Sequence, residues 1–86
     1  MVRNEPGKEG TVRAAILGST GSVGVQAAEI ALEMGIEITL LAAGRNAELL
    51  AEQARRLKPE LLSVSDVQTA EKLYGILGNE FEIIYG

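Results

Sequence analysis

An α/β domain built on a parallel sheet is the fold these 86 residues predict, and three observations predict it. Short apolar runs alternate with longer segments of helical period. A three-glycine loop, "GSTGSVG", joins the first apolar run to the first helical segment. The second run, "IEITLLAA", is almost continuously apolar, as a strand covered on both faces should be.

Taken in order, the leader "MVRNEPGKEGTV" is polar and has no apolar stretch, so residues 1–12 read as a flexible arm and not as a signal or transit peptide. Residues 13–86 form the folded part. "VRAAIL" is the first strand. From Val23 to Met34 the positions Val23, Ala27, Ile30, Ala31 and Met34 share one helical face, and Gly35 stops the helix. "IEITLLAA" follows as the second strand. Asn46 is a fitting N-cap for a helix from Ala47 to Lys58 with Ala47, Leu50, Ala54 and Leu57 inward, and Pro59 ends it. "ELLSVS" is the third strand. The third helix, in "SDVQTAEKLYGIL", opens with Ser65 and Gln68 at capping-box spacing and carries Val67, Ala70, Tyr74 and Leu77 along one stripe. "EFEIIYG" is the fourth strand.

About four strands and three helices in this sequence predict a partial doubly wound sheet of order 3-2-1-4. Right-handed crossovers would then set the first two helices on one face and the third on the other. Strand 4 is left with an open edge.

Composition removes many function classes. Eight basic against twelve acidic residues give a formal net charge of −4, so nucleic acid is not an expected partner. Cysteine and histidine are both absent, which excludes disulfides, thiolate chemistry and imidazole catalysis. The acidic residues show no convergent spacing for a metal. No apolar run approaches a membrane span, and a cytoplasmic location is the default expectation. Tyr74 lacks a Lys four positions on, where Gly78 stands, so it reads as structural. Spacing names no catalytic acid, base or nucleophile.

The chemistry lies in two loops. Gly18, Gly21 and Gly24 fall between the first strand and the first helix, where a Rossmann-like fold meets a pyrophosphate. Glycine there permits close backbone approach and positive φ, and the N–H groups of a helix N-terminus favour an anion. Ser19, Thr20 and Ser22 add hydroxyl donors, and Val23 begins the helix. The spacing is GxxGxxG rather than GxGxxG, and no GKS or GKT ending marks a triphosphate loop. A tight turn packed against a neighbour also selects glycine, so the loop alone leaves both readings standing.

After the second strand comes "AAGRN". An NAD-binding domain usually carries an acid here for the ribose 2′-hydroxyl; this chain carries Gly44, Arg45 and Asn46. A guanidinium suits a 2′-phosphate, which favours NADPH over NADH. A solvated Arg45 beside a helix-capping Asn46 is the plainer reading.

"ILGSTGSVGVQAAEI" followed by "LLAAGRNAELLAEQARRLKPELLSV" closely resembles the N-terminal part of the 1-deoxy-D-xylulose 5-phosphate reductoisomerase family, from about Arg13 to Gly86. Two motifs at matching separation make the resemblance more specific than either alone. It implies NADPH binding by Thr20, Gly21, Ser22 and Val23, where Val replaces a common Ile, and by Gly44, Arg45 and Asn46. It also implies a parent enzyme that rearranges and reduces 1-deoxy-D-xylulose 5-phosphate to 2-C-methyl-D-erythritol 4-phosphate in isoprenoid biosynthesis. That parent uses NADPH and a divalent metal, Mg or Mn, as a homodimer. The family's metal carboxylates and substrate residues have no counterpart in this chain, so the chain alone is expected to be inactive. A stand-alone nucleotide-binding or interaction module, or part of another NADP-linked dehydrogenase, are the alternatives.

Overall fold

In the computed structural model, which describes residues 2–5 and 12–86, the elements run β1 (Val2–Glu5), β2 (Arg13–Leu17), α1 (Ser22–Met34), β3 (Glu37–Ala42), α2 (Ala47–Leu57), β4 (Leu61–Val64), α3 (Val67–Leu77) and β5 (Glu82–Tyr85). The four strands and three helices expected from residue 13 onward are all present, and β2, β3, β4 and β5 are parallel neighbours in a Rossmann-like βαβ series.

Two expectations about the sheet are corrected. The strand order is sequential, β1-β2-β3-β4-β5, not 3-2-1-4. The fourth predicted strand, β5, pairs with β4, matching Leu62 to Ile83 and Val64 to Tyr85, instead of returning to lie beside β2. A return would have to pass two further strands, roughly 10 Å more travel at the ordinary strand spacing. The short α3 and its brief connections lead to the adjacent position instead. The second correction is at the edge of β2, where Val2–Glu5 pair antiparallel from Val2 opposite Ile16 to Glu5 opposite Arg13. The flexible arm expected over residues 1–12 therefore gives way to a strand at residues 2–5, and residues 6–11 lie outside the described residues.

Because every crossover steps the same way with the same hand, the helices share one face of the sheet. The middle helix, α2, packs against both α1 and α3, so the third helix is not on the opposite side. The core lies between helices and sheet, with Ile16, Leu41, Leu50, Leu62 and Leu73 almost without exposure. Burying each such side chain stabilises the fold by about 1.5–3 kcal/mol, so these five dominate. Ion pairs stitch the layer from above: Arg56 of α2 meets Glu29 of α1, and Lys72 of α3 meets Glu48 of α2. Arg55 donates to the Ile76 carbonyl on α3 at 3.0 Å. These cations link α2 to its neighbours.

The helical faces depart from the sequence reading in an instructive way. On α1 the buried positions are Gly24, Ala28 and Ala31, while Val23, Ile30 and Met34 stand exposed. At Gly24 the helix closes directly on the Gly18–Ser19 backbone, and Ala28 and Ala31 are its other buried residues. On α3 the cap is Asp66, not Ser65, and the buried residues are Thr69, Ala70, Leu73 and Leu77, with Val67 and Tyr74 outward. The α2 reading stands, with Ala47, Leu50 and Ala54 inward, although Gln53 joins them.

In β3 the pairing with β2 shifts by one residue, from Ala14 opposite Ile38 to Ala15 opposite Leu40, and the Thr39 hydroxyl between them donates to the Ala14 carbonyl at 3.3 Å. The bulge lets Ile38 and Leu41, an odd number of positions apart, both enter the core.

Candidate functional site

Three connections leave the C-terminal ends of parallel strands side by side: residues 18–21 after β2, residues 43–46 after β3, and Ser65 and Asp66 after β4. This edge is where open α/β sheets bind ligands.

The first connection turns at Gly18, whose φ of +71° suits glycine, and closes with the Gly21 N–H donating to the Gly18 carbonyl at 3.0 Å. Gly24 has a different task. A Cβ there would stand 1.9 Å from the Gly18 oxygen and 2.6 Å from the Ser19 Cα, so its missing side chain is what lets α1 rest on the loop. Gly21 occupies the N-cap position and, being glycine, supplies no side-chain acceptor. The N–H groups of Ser22, Val23 and Gly24 precede the helix's own hydrogen-bond ladder and point out of its end. The other two helices are closed by side chains: Asn46 accepts from the Leu49 N–H at 3.2 Å and Asp66 from the Thr69 N–H at 2.8 Å. Among the described residues only α1 presents an N-terminus without a side-chain cap, carrying the positive end of its dipole.

Thr20, Gly21, Ser22 and Val23 are accessible along this turn. Ser19 is not. It is fully buried, its N–H donates to the Ala42 carbonyl at 2.9 Å, and its Oγ has no partner. The accessible hydroxyls of the turn are thus those of Thr20 and Ser22.

The second connection is held from β4. Ser65 donates to the Gly44 carbonyl from its backbone N–H at 3.1 Å and from its hydroxyl at 3.0 Å. Gly44, Arg45 and Asn46 are exposed, and Asn46 does cap α2 as its sequence position suggests. Arg45 reaches toward Asp66, with Nε 3.1 Å from Oδ2, while its side chain remains 82% exposed. This contact engages the Nε of the guanidinium. Asp66 is lowered in pKa chiefly by the Thr69 hydroxyl, then by the Thr69 N–H, and to a lesser degree by Arg45. A carboxylate lowered in this way contributes stability above the ordinary aspartate pKa, and the contribution is lost as pH falls through the lower folded value.

Sequence reasoning missed Ser65 and Asp66 as supports of the second loop. Their position directly after a parallel strand was the available signal. It also missed Gln53, whose side chain reaches the first loop from α2. A groove of about 220 Å³ between α1 and α2 is lined by Val25, Ala28, Leu49 and Gln53, among others. It falls below the roughly 300–1,000 Å³ of ordinary small-molecule pockets; a shallower depression of about 520 Å³ lies between α2 and α3, over Glu48, Arg55 and Ile76. Among the described residues no group of three His, Cys, Asp or Glu converges to hold a metal, and no helix is long and apolar enough to cross a membrane.

A glycine turn under an uncapped helix N-terminus, with an arginine on the neighbouring strand end, defines the βαβ half of a dinucleotide-binding fold. The comparison with known proteins then narrows the class to one family. Residues 14–86 match the profile of 1-deoxy-D-xylulose 5-phosphate reductoisomerase, and the chain belongs to that family. The reductoisomerase of Agathobacter rectalis is 44% identical over 73 residues, covering 83% of this chain and 19% of that protein. That of Nautilia profundicola is 50% identical over 58 residues, covering 67% of this chain and 16% of the relative. The solved structure of the reductoisomerase from Zymomonas mobilis in complex with NADPH superposes with a TM-score of 0.76 at 27% identity, over 84% of this chain and 20% of that one. The chain thus spans about a fifth of the length of these relatives. The match sets aside a different NADP-linked dehydrogenase as its origin.

Proposed function

We propose that this chain is the part of a 1-deoxy-D-xylulose 5-phosphate reductoisomerase that binds the adenosine and pyrophosphate side of NADPH. The observation that carries the reading is the uncapped N-terminus of α1 beneath a glycine turn, beside an exposed Arg45 on the next strand end. The residues fit the group. The α1 N–H groups of Ser22, Val23 and Gly24 would take the pyrophosphate, Gly18 and Gly21 would let it approach the backbone, and Thr20 and Ser22 would add hydroxyl donors. Gly44, Arg45 and Asn46 would surround the 2′-phosphate, with the Arg45 fork supplying charge-assisted bonds.

NADPH, once bound, supplies the hydride for the reduction step in the full enzyme. The residues of this chain bind and orient the far end of the cofactor and transfer no proton. Isomerisation, reduction and divalent-metal binding belong to the full reductoisomerase, for which we propose a cytoplasmic homodimer. The apolar stripe of Val23, Ile30 and Met34 on α1 supports this reading, because it is surface that further chain would cover.

Thermal unfolding in the presence of each nucleotide tests the proposal, since a ligand bound only by the native state raises its melting temperature. NADPH should raise it more than NADH at equal concentration. Equal shifts, or none, would contradict the assignment of Arg45.

A further inference from the structure

Gln53 is a polar side chain in the apolar stripe of α2, between Leu50 and Ala54, and only 6% exposed. Glutamine is rarely buried to this degree, and a Leu or Met would fit the stripe at least as naturally. Its Nε2 donates to the Ser19 carbonyl at 2.7 Å. The amide orientation follows from chemistry, because the flipped arrangement would set two oxygens against each other. Its Oε1 has no partner, so this glutamine is held in place by a single bond, and that bond ends on the glycine loop.

The same peptide is gripped from the other side. The Ser19 N–H donates to the Ala42 carbonyl at the end of β3, two residues before Gly44. Ser19 is therefore tied by its N–H to the strand that leads into the second loop. Its carbonyl is tied to the helix that Asn46 of that loop caps. The first loop has no side-chain cap of its own on α1, so these two bonds are what fix it relative to residues 44–46.

We infer that Gln53 is a positioning residue that sets the spacing between the pyrophosphate turn at 18–24 and the 2′-phosphate loop at 44–46. This inference rests on the NADPH reading for its consequence but not for its geometry. A ligand that touches both loops depends on their spacing, whereas a ligand confined to the second does not.

The test uses Gln53→Met, which keeps the volume and removes the donor. Amide hydrogen exchange is read without any nucleotide, and binding is read with NADPH and with adenosine 2′-monophosphate, which carries the 2′-phosphate and no 5′-phosphate. Exchange at Ser19 and Gly21 should accelerate about tenfold or more while the β4 amides hold their wild-type rates. NADPH should bind about tenfold more weakly, and the 2′-monophosphate within about twofold of wild type. Gln53→Glu should resemble the Met variant at about pH 8. It should recover protection at Ser19 toward about pH 5, because only the protonated carboxyl donates and burial raises its pKa.

Exchange that accelerates equally in β4 would reduce Gln53 to a packing residue, as would equal losses for both nucleotides or a Glu variant without pH recovery. Unchanged exchange at Ser19 would overturn the tether itself. If wild-type protein binds no NADPH while Ser19 and Gly21 still respond selectively, the tether stands and the proposed function falls.

Discussion

Replacing Gly24 with alanine should cost this chain about 3 kcal/mol or more of folding stability, the largest loss expected of any single methyl addition. The new Cβ would lie 1.9 Å from the Gly18 carbonyl oxygen and 2.6 Å from the Ser19 Cα, and both are backbone atoms. Neither can turn away as the end of a side chain would. The loop is fixed below by the Ser19 bond to Ala42, so relief requires lifting the N-terminal end of α1 from the sheet. A chain of this size holds roughly 4–13 kcal/mol in total, so about a quarter to three-quarters of its margin is at stake. Two other glycines calibrate the result. At Gly18 a Cβ meets nothing within 4 Å but φ is +71°, so alanine there should cost about 1 kcal/mol through backbone strain. Gly44 has open space and no positive φ, and alanine should be tolerated. Urea unfolding of the three variants checks the order. Equal losses at Gly24 and Gly44 would show that α1 does not rest on the loop as described.

Arg45→Asp should weaken NADPH binding about 100-fold and leave NADH within a few-fold of wild type. A charge-assisted hydrogen bond to a 2′-phosphate is worth about 1.5–3 kcal/mol, so the loss of one such bond covers the about 2.7 kcal/mol that a ratio of about 100-fold requires. The new carboxylate would also face the phosphate with the same sign of charge. Fold stability should move little, because Arg45 is 82% exposed and its partner Asp66 keeps both Thr69 bonds. Fluorescence titration with each nucleotide measures the ratio. Parallel losses for NADPH and NADH would make Arg45 a general support of the loop instead of the reader of the 2′ position.

The elements were legible in the sequence because their signals are local. Apolar runs, glycine stops, Pro59 and the Asn46 cap each act within a few residues, and each strand and helix from β2 onward appears near its expected place. Topology was not legible, because the alternation of strands and helices is the same whether β5 joins β4 or returns to β2. Only the reach of α3 decides it. Helix faces failed for a related reason. Hydrophobic periodicity weights Val23, Ile30 and Met34 over Ala28 and Ala31, but the seating of Gly24 on the Gly18–Ser19 backbone fixes which face turns inward.

The candidate site divides along the same line. Gly18, Gly21 and Gly24 stand out as glycines whatever surrounds them, and Arg45 stands out as a charge where an acid is usual. The burial of Ser19, the grip of Ser65 on Gly44 and the reach of Gln53 to Ser19 are tertiary facts. They depend on which strand ends lie side by side, and no spacing along the chain encodes that.

The central claim is that one nucleotide spans both loops at the C-terminal edge of the sheet. Mapping backbone amide chemical shifts during titration with NADPH tests it most directly. The account predicts shifts at Thr20, Gly21, Ser22 and Val23 together with Gly44, Arg45 and Asn46, saturating at one common concentration. Shifts confined to one loop, or centred on the groove between α1 and α2, would contradict it.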